Sequence, residues 1–171
     1  MERLWAPWRT VYIGKDHGGT CIFCEKLQST EDEANYLLYR GEKTFVLLNL
    51  YPYTNGHLLV APKRHVGDLA DLTREEMLEM GETTRQMVEL LRKAFRPDGF
   101  NIGVNLGTIA GAGVPGHFHV HIVPRWAGDT NFMPVLGDVR VISEGLETTY
   151  RKLKEVLSSP SGGSPGQGAF A

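Results

Sequence analysis

Between Thr73 and Phe95, the residues Met77, Met80, Thr84, Val88, Leu91 and Phe95 return at intervals of three and four. That is the period of a helix with one apolar face. Thr73 followed by Glu76 forms a capping box at its start, and Pro97-Asp98-Gly99 closes it. The pattern predicts a helix from Thr73 to about Phe95 whose Met and Leu stripe faces the core. A second helix is predicted from Glu144 to Leu157, where Leu146, Tyr150, Leu153 and Leu157 share a face. Elsewhere the apolar runs are short. Asn35 to Tyr39 and Thr44 to Leu48 are split by Arg40-Gly41-Glu42, which predicts a hairpin. Leu58 to Ala61 follows the turn residues Thr54-Asn55-Gly56, and Phe100 to Leu106 and His117 to Val123 complete five expected strands. The order of strands, one long helix and more strands predicts an α+β fold. Its antiparallel sheet is expected to carry the long helix on one face.

The chain has 171 residues, a length that argues for one domain with a core of its own. The closing stretch SSPSGGSPGQGAFA is too poor in apolar groups to pack. Residues 158–171 are therefore expected as a flexible tail after a domain spanning 1–157. A formal net charge of −2 leaves no global basic field, which argues against a nucleic-acid polymer as partner. A small anionic ligand needs only a local site. No apolar run approaches the ~18 residues of a membrane span. The opening MERLWAPWRT has no apolar stretch behind its charges, so the cytoplasm is the expected compartment. The two cysteines stand as Cys21-Ile-Phe-Cys24. Without a secretory signal this spacing points to metal binding or redox chemistry, the alternative being two buried thiols.

Three of the six histidines fall in HFHVHIVPRW as His117, His119 and His121. On a strand, side chains alternate faces, so the three imidazoles point one way while Phe118, Val120 and Ile122 point the other, toward the long helix. On a helix the same spacing would rotate successive rings by about 200°, useless for a shared site. A half-exposed strand whose polar face happens to be histidine, or a metal site, could show the same alternation. Directly before it lies the Gly-rich loop from Gly107 to Gly116, whose backbone N–H groups could approach a phosphate, Gly111 and Gly113 among them. A neutral imidazole whose far nitrogen is hydrogen-bonded is a nucleophile usable near pH 7.

With CIFC, NLYPYTNGH, PKRH, NLGTIAG, HFHVHIVPRW and GDTNF in this order, the chain resembles the histidine triad (HIT) superfamily over 21–126. LWAPWR at the start and the outer motifs resemble the branch that contains bacterial diadenosine tetraphosphate phosphorylases. The resemblance implies a HIT-like α+β homodimer, with extra N- and C-terminal segments. It also implies a ping-pong reaction in which His119 becomes covalently nucleotidylated. By the same resemblance His57 and His121 surround the phosphates, Asn49 contacts the ribose, Asn105 stands on the phosphate side and Leu47 walls the base pocket. One departure stands out. Where many members carry Gln-Ser or Gln-Thr before the triad, this chain has Ala112-Gly113, so backbone amides or a water must serve the phosphate.

The resemblance also bears on the cysteines. Zinc-bearing relatives use histidines at the places of His65 and His117, which implies one structural zinc held by Cys21, Cys24, His65 and His117. Such a site is closed, with no open position to activate water. No organic cofactor is expected. The implied activity is nucleotidyl transfer or hydrolysis at the α-phosphate of dinucleoside polyphosphates. Inorganic phosphate is the favoured acceptor (ATP and ADP products), and water is the alternative. Competing readings are a hydrolase of nucleotide conjugates, a nucleotide-binding module with little turnover, and a metal oxygen-chemistry enzyme that uses the triad as ligands.

Overall fold

The computed structural model describes residues 20–130 and 141–159. The elements run α1 (Ile22–Gln28), β1 (Leu37–Arg40), β2 (Thr44–Leu48), β3 (Leu58–Pro62), α2 (Arg74–Phe95), β4 (Gly99–Gly103), β5 (Val120–Arg125) and α3 (Leu146–Ser158), with a 3-10 turn at Leu69–Asp71. The five strands form one antiparallel sheet in the order β1-β2-β3-β5-β4, so this is the expected α+β architecture. No helix among the described residues is long and apolar enough to cross a membrane. The aromatic residues Trp5, Trp8, Tyr12 and Phe132, the LWAPWR motif and all but the first two residues of the expected tail lie outside the described residues.

One face of the sheet packs under α2 and α3. Val46, Leu48, Leu58, Val60, Phe118 and Ile122 meet Met80, Met87, Leu90 and Leu91 of α2, and Tyr150 and Leu153 of α3. Phe118 and Ile122 thus occupy the core side that strand alternation assigned to them. The buried stripe of α2 differs from the expected one. Met80 and Leu91 are buried as expected, but Met77 is 48% exposed, and Glu76, Thr83, Met87 and Leu90 join the buried stripe. The capping box explains the rotation. The Thr73 hydroxyl accepts from the Glu76 N–H while the Glu76 carboxylate accepts from the Thr73 N–H and the Arg64 guanidinium. That pins Glu76 inward and turns Met77 out. The helix ends at Arg96, which takes the left-handed conformation before Pro97.

Strand limits also shift. β1 begins at Leu37 rather than Asn35, because Asn35 N–H and Leu37 N–H close turns onto Glu31 and Asp32 with Tyr36 at positive φ. β4 stops at Gly103 rather than Leu106, and β5 starts at Val120 rather than His117. The chain around Phe118 bonds elsewhere: its N–H donates to Val66 O at 2.6 Å. This holds the His65–Gly67 segment against the triad, and Gly67 makes the approach possible. A Cβ there would stand 2.8 Å from the Pro115 carbonyl oxygen.

The second face was not foreseen. Phe23, Leu37, Phe45, Leu47, Leu59 and Ala61 form a separate buried cluster on it, with Cys21, Ile22, Leu27 and Val114 packed around. Its cover is α1, a seven-residue helix that carries the cysteine pair. Across this face Leu37, Leu47, Leu59, His121 and Gly103 form one register row.

Candidate active site and metal centre

The histidine cluster stands on that second face, beside the α1 cluster. The rings of His119 and His121 lie 4.9 Å apart, and those of His57 and His121 5.2 Å. His57, His117 and His119 are buried. Their hydrogen bonds decide where each proton sits, because a carbonyl or an N–H leaves a ring nitrogen only one role.

His119 Nδ1–H donates to the His117 carbonyl at 2.7 Å. The neutral ring therefore carries its lone pair on Nε2. Burial pushes the His119 imidazolium below its usual range, partly offset by that carbonyl. The ring is thus neutral, oriented and basic at its outer nitrogen, the state a nucleophilic imidazole needs.

His57 has the opposite tautomer. Its Nδ1 accepts from the Tyr53 backbone N–H at 3.1 Å and from Asn49 Nδ2 at 3.3 Å, so its proton is on Nε2. Nε2–H then donates to His121 Nδ1 at 3.0 Å. By the same bookkeeping a neutral His121 bears its proton on Nε2. The relay from Tyr53 through His57 thus leaves a proton on His121 Nε2, beside a His119 ring whose Nε2 carries only a lone pair. The Tyr53 ring completes the stack, nearly parallel to His121 at 6.0 Å and 4.6 Å from His57.

A cleft of about 200 Å³ opens in front of this cluster. Leu47, Asn49, Gly111, Gly113, His119 and His121 all line it. Ile22, Phe23 and Lys26 of α1 form a wall that sequence reasoning missed. Phe23 is 2% exposed, and its ring stands 4.9 Å from His119 and 5.0 Å from His117. Its signal was available, an apolar pair inside the C-x-x-C, but no local pattern says which histidines it meets. Lys26 Nζ donates to the Asn35 carbonyl at 3.0 Å, and burial lowers its pKa.

Asn105 sits behind the loop, where its Nδ2 donates to Gly111 O at 3.4 Å. Two loop amides are already committed: Gly111 N–H bonds to Thr108 O and Ala112 N–H to Gly107 O. Gly111 is at φ +88°, a conformation that favours glycine.

The four residues Cys21, Cys24, His65 and His117 converge behind Phe23, their ligand atoms all within 4.8 Å of one another. Cys21 Sγ is 3.3 Å and Cys24 Sγ 3.6 Å from His117 Nδ1, and Cys24 Sγ is 3.4 Å from His65 Nδ1. The ligand atoms around a tetrahedral zinc stand about 3.4–3.8 Å apart, from Zn–S of about 2.3 Å and Zn–N of about 2.0–2.1 Å. The three thiol–imidazole separations stand close to that range, so the donor set fits the ion. His117 also has the right tautomer, because its Nε2–H donates to the Pro62 carbonyl at 2.8 Å and leaves the Nδ1 lone pair facing the thiols. Burial, together with the neighbouring Cys21, pushes the Cys24 thiol up. A cation is the natural means of holding both as thiolates.

The chain and its fold have counterparts in known proteins. The family model described as HIT domain matches residues 30–128. Over 161 residues, 90% of this chain and 83% of the relative, the chain is 38% identical to AP-4-A phosphorylase of Mycobacterium tuberculosis. It is 39% identical over 93 residues to the asymmetrical bis(5'-nucleosyl)-tetraphosphatase of Schizosaccharomyces pombe, which covers 54% of this chain and 50% of that protein. The crystal structure of a Zn-bound histidine triad family protein from Mycobacterium smegmatis superposes with a TM-score of 0.66 at 31% identity, over 81% of this chain and 94% of that one.

Proposed function

The chain belongs to the HIT domain family, and from that premise we propose that it cleaves dinucleoside polyphosphates by way of a covalent nucleotidyl-histidine on His119. The observation that carries this reading is the tautomer pair. His119 holds its lone pair outward on Nε2, while the Tyr53–His57 relay keeps a proton on His121 4.9 Å away, ring to ring. In the first step Nε2 bonds to the α-phosphorus and the bond from phosphorus to the bridging oxygen breaks. The bridging electron pair leaves with the polyphosphate, and His121 Nε2–H stands ready to donate toward it. In the second step the acceptor oxygen bonds to phosphorus, the phosphorus–nitrogen bond breaks, and the acceptor's proton returns to the histidine pair. Leu47 and the α1 wall of Ile22 and Phe23 sandwich the base, Asn49 reaches the ribose, and Gly111 and Gly113 let the phosphates approach the backbone. Asn105 supports that loop from behind.

The acceptor in this reading is inorganic phosphate, giving ATP and ADP from diadenosine tetraphosphate. Its support is the similarity to AP-4-A phosphorylase over most of both chains. Asn55 and Lys63 do not line the cleft. The loop at Gly113 and Val114 does. Chromatography of the products with and without phosphate tests the acceptor. ADP that depends on phosphate supports the phosphorylase, and AMP formed at equal rates in both makes the enzyme a hydrolase. His119→Ala tests the nucleophile: turnover should vanish with the melting temperature nearly unchanged, and retained turnover would refute the mechanism.

Zinc is the ion proposed at Cys21, Cys24, His65 and His117. It ties α1 to the strand that carries the triad and takes no part in the chemistry. The enzyme is proposed to act as a cytoplasmic homodimer on small nucleotide substrates.

A further inference from the structure

The α1 wall of the cleft is apolar with one exception. Ile22, Phe23 and Lys26 stand at helical positions i, i+1 and i+4 and line the cleft together. Leu47 and Leu59 of the sheet line it with them. Among the described residues that line the cleft, Lys26 is the only lysine, arginine or carboxylate. A helix packed over an apolar face calls for a leucine or methionine at this place. Nothing in the mechanism above uses the charge.

Two readings account for a lysine there. In one, the stem covers apolar surface and the ammonium reaches for water. In the other, the ammonium meets a polar edge of the ligand. The hydrogen bonds favour the second. Lys26 is half-buried, and its Nζ is tied to the Asn35 carbonyl at 3.0 Å. That carbonyl is itself held in place. The Asn35 side-chain amide donates to the Ser29 hydroxyl at 3.0 Å and to the Glu31 carbonyl at 2.9 Å, and the Asn35 backbone N–H donates to the same carbonyl at 3.1 Å. The ammonium is thus anchored beside the cleft before a ligand arrives, which lowers the entropic cost of using it. An ammonium has three N–H donors and no acceptor. One goes to Asn35, which leaves two for a ligand.

Apolar walls hold the two faces of a base and do not distinguish one purine from another. The edges do. Guanine presents O6 and N7 side by side, both acceptors, and a lysine can donate to the pair. Adenine presents N7 beside an amino group that donates, and an ammonium has nothing to accept it with. We propose that Lys26 is a specificity-determining residue that reads the edge of the attacked nucleotide's base and favours guanine over adenine through O6 and N7. The proposal rests on the substrate reading above and names the base on which the enzyme acts fastest. Diadenosine tetraphosphate remains a substrate, held by the same walls without the edge contact.

Steady-state kcat/KM for diguanosine and diadenosine tetraphosphate tests it in the wild type, Lys26→Met and Lys26→Arg. The wild type should favour the guanine substrate by about five-fold or more, the lower end for a paired contact to O6 and N7. Lys26→Met keeps the stem and removes the donors, and it should bring the two substrates to near parity. Lys26→Arg keeps the donors and should keep the preference. Both nucleosides differ between the substrates, so the change in the ratio between variants isolates Lys26. The wild-type ratio still reads the proposal if Lys26→Met does not fold. A wild type without the preference refutes the base reading. So does a Lys26→Met enzyme that keeps it or slows equally on both substrates; Lys26 is then a stem packed on the wall, and the substrate reading stands. A wild type that cleaves neither tetraphosphate overturns both.

Discussion

Phe23 joins the proposed metal centre, the proposed nucleophile and the wall of the cleft, so truncating it separates their contributions. The side chain is 2% exposed and touches Phe45, His117 and His119 with ring centroids at 6.3, 5.0 and 4.9 Å. Removing a fully buried phenyl ring costs about 3–5 kcal/mol, and the cost is smaller where the surroundings or solvent can fill the space. Here the vacated volume opens toward the cleft of about 200 Å³, so the lower end applies, about 3 kcal/mol. Against a total of about 5–15 kcal/mol the protein stays folded. At about 2–4 °C per kcal/mol for a chain of this size, Phe23→Ala should melt about 6–12 °C lower. Phe23→Leu should fall between the two. The kinetic effect is separate. With its backing gone, His119 is free to tilt, and a displacement of about 1 Å in a reacting group can cost roughly 100-fold in rate. Differential scanning fluorimetry reads the first effect and turnover at saturating substrate the second. A Phe23→Ala protein that melts within about 2 °C of wild type and keeps its turnover would refute the reasoning, for then α1 is not a wall of the working site.

Elemental analysis should find one zinc per chain, and chelation should lower the melting temperature because ion binding and the docking of α1 are coupled; zinc-free protein indifferent to chelators would rule the centre out. Cys24→Ser should reproduce the effect of the chelator. Glu76 is held down to about 2 by Arg64 and by the Thr73 N–H. Its folded value therefore lies below the unfolded one, and its contribution is complete above about pH 4.5 and drains away as the pH falls toward about 2. Glu76→Gln should cost about 1 kcal/mol at pH 7, a modest figure because Arg64 is half exposed and screened. Melting curves of the two proteins should converge as the pH falls from about 4.5 to about 2; a gap that does not narrow would contradict the assignment. Gly67→Ala should destabilise the protein and weaken zinc retention, since its Cβ would meet backbone at Pro115 and Gly116 and push the His65 segment away. Unchanged zinc content after dialysis would count against that coupling.

Much of this was legible in advance because it is local. The Thr73–Glu76 cap, the span of α2, the hairpin of β1 and β2 and the alternation of His119 and His121 against Phe118 and Ile122 each follow from residues a few positions apart. The set of four metal-binding candidates, spread from Cys21 to His117, came from resemblance and not from spacing. What failed was decided by partners in other segments. The stripe that included Met77 was the best apolar repeat in the window, yet a salt bridge from Arg64, in another segment, turned Glu76 inward. The strand expected from His117 began three residues later because Phe118 N–H found Val66.

By itself, then, the sequence determined the fold class, the long helix and the chemical kind of each candidate residue, since periodicity and residue type need no distant partner. Only the tertiary structure decided which nitrogen of each histidine carries a proton. That rests on carbonyls and amides with no side-chain signature: Pro62 for His117, the His117 carbonyl for His119 and the Tyr53 N–H for His57. It alone also placed α1, whose seven residues would not hold a helix unaided. The helix owes its place to the Phe23 cluster and to the thiols facing His65 and His117 across gaps of 41 to 96 residues, contacts that exist only once the sheet has brought those segments together.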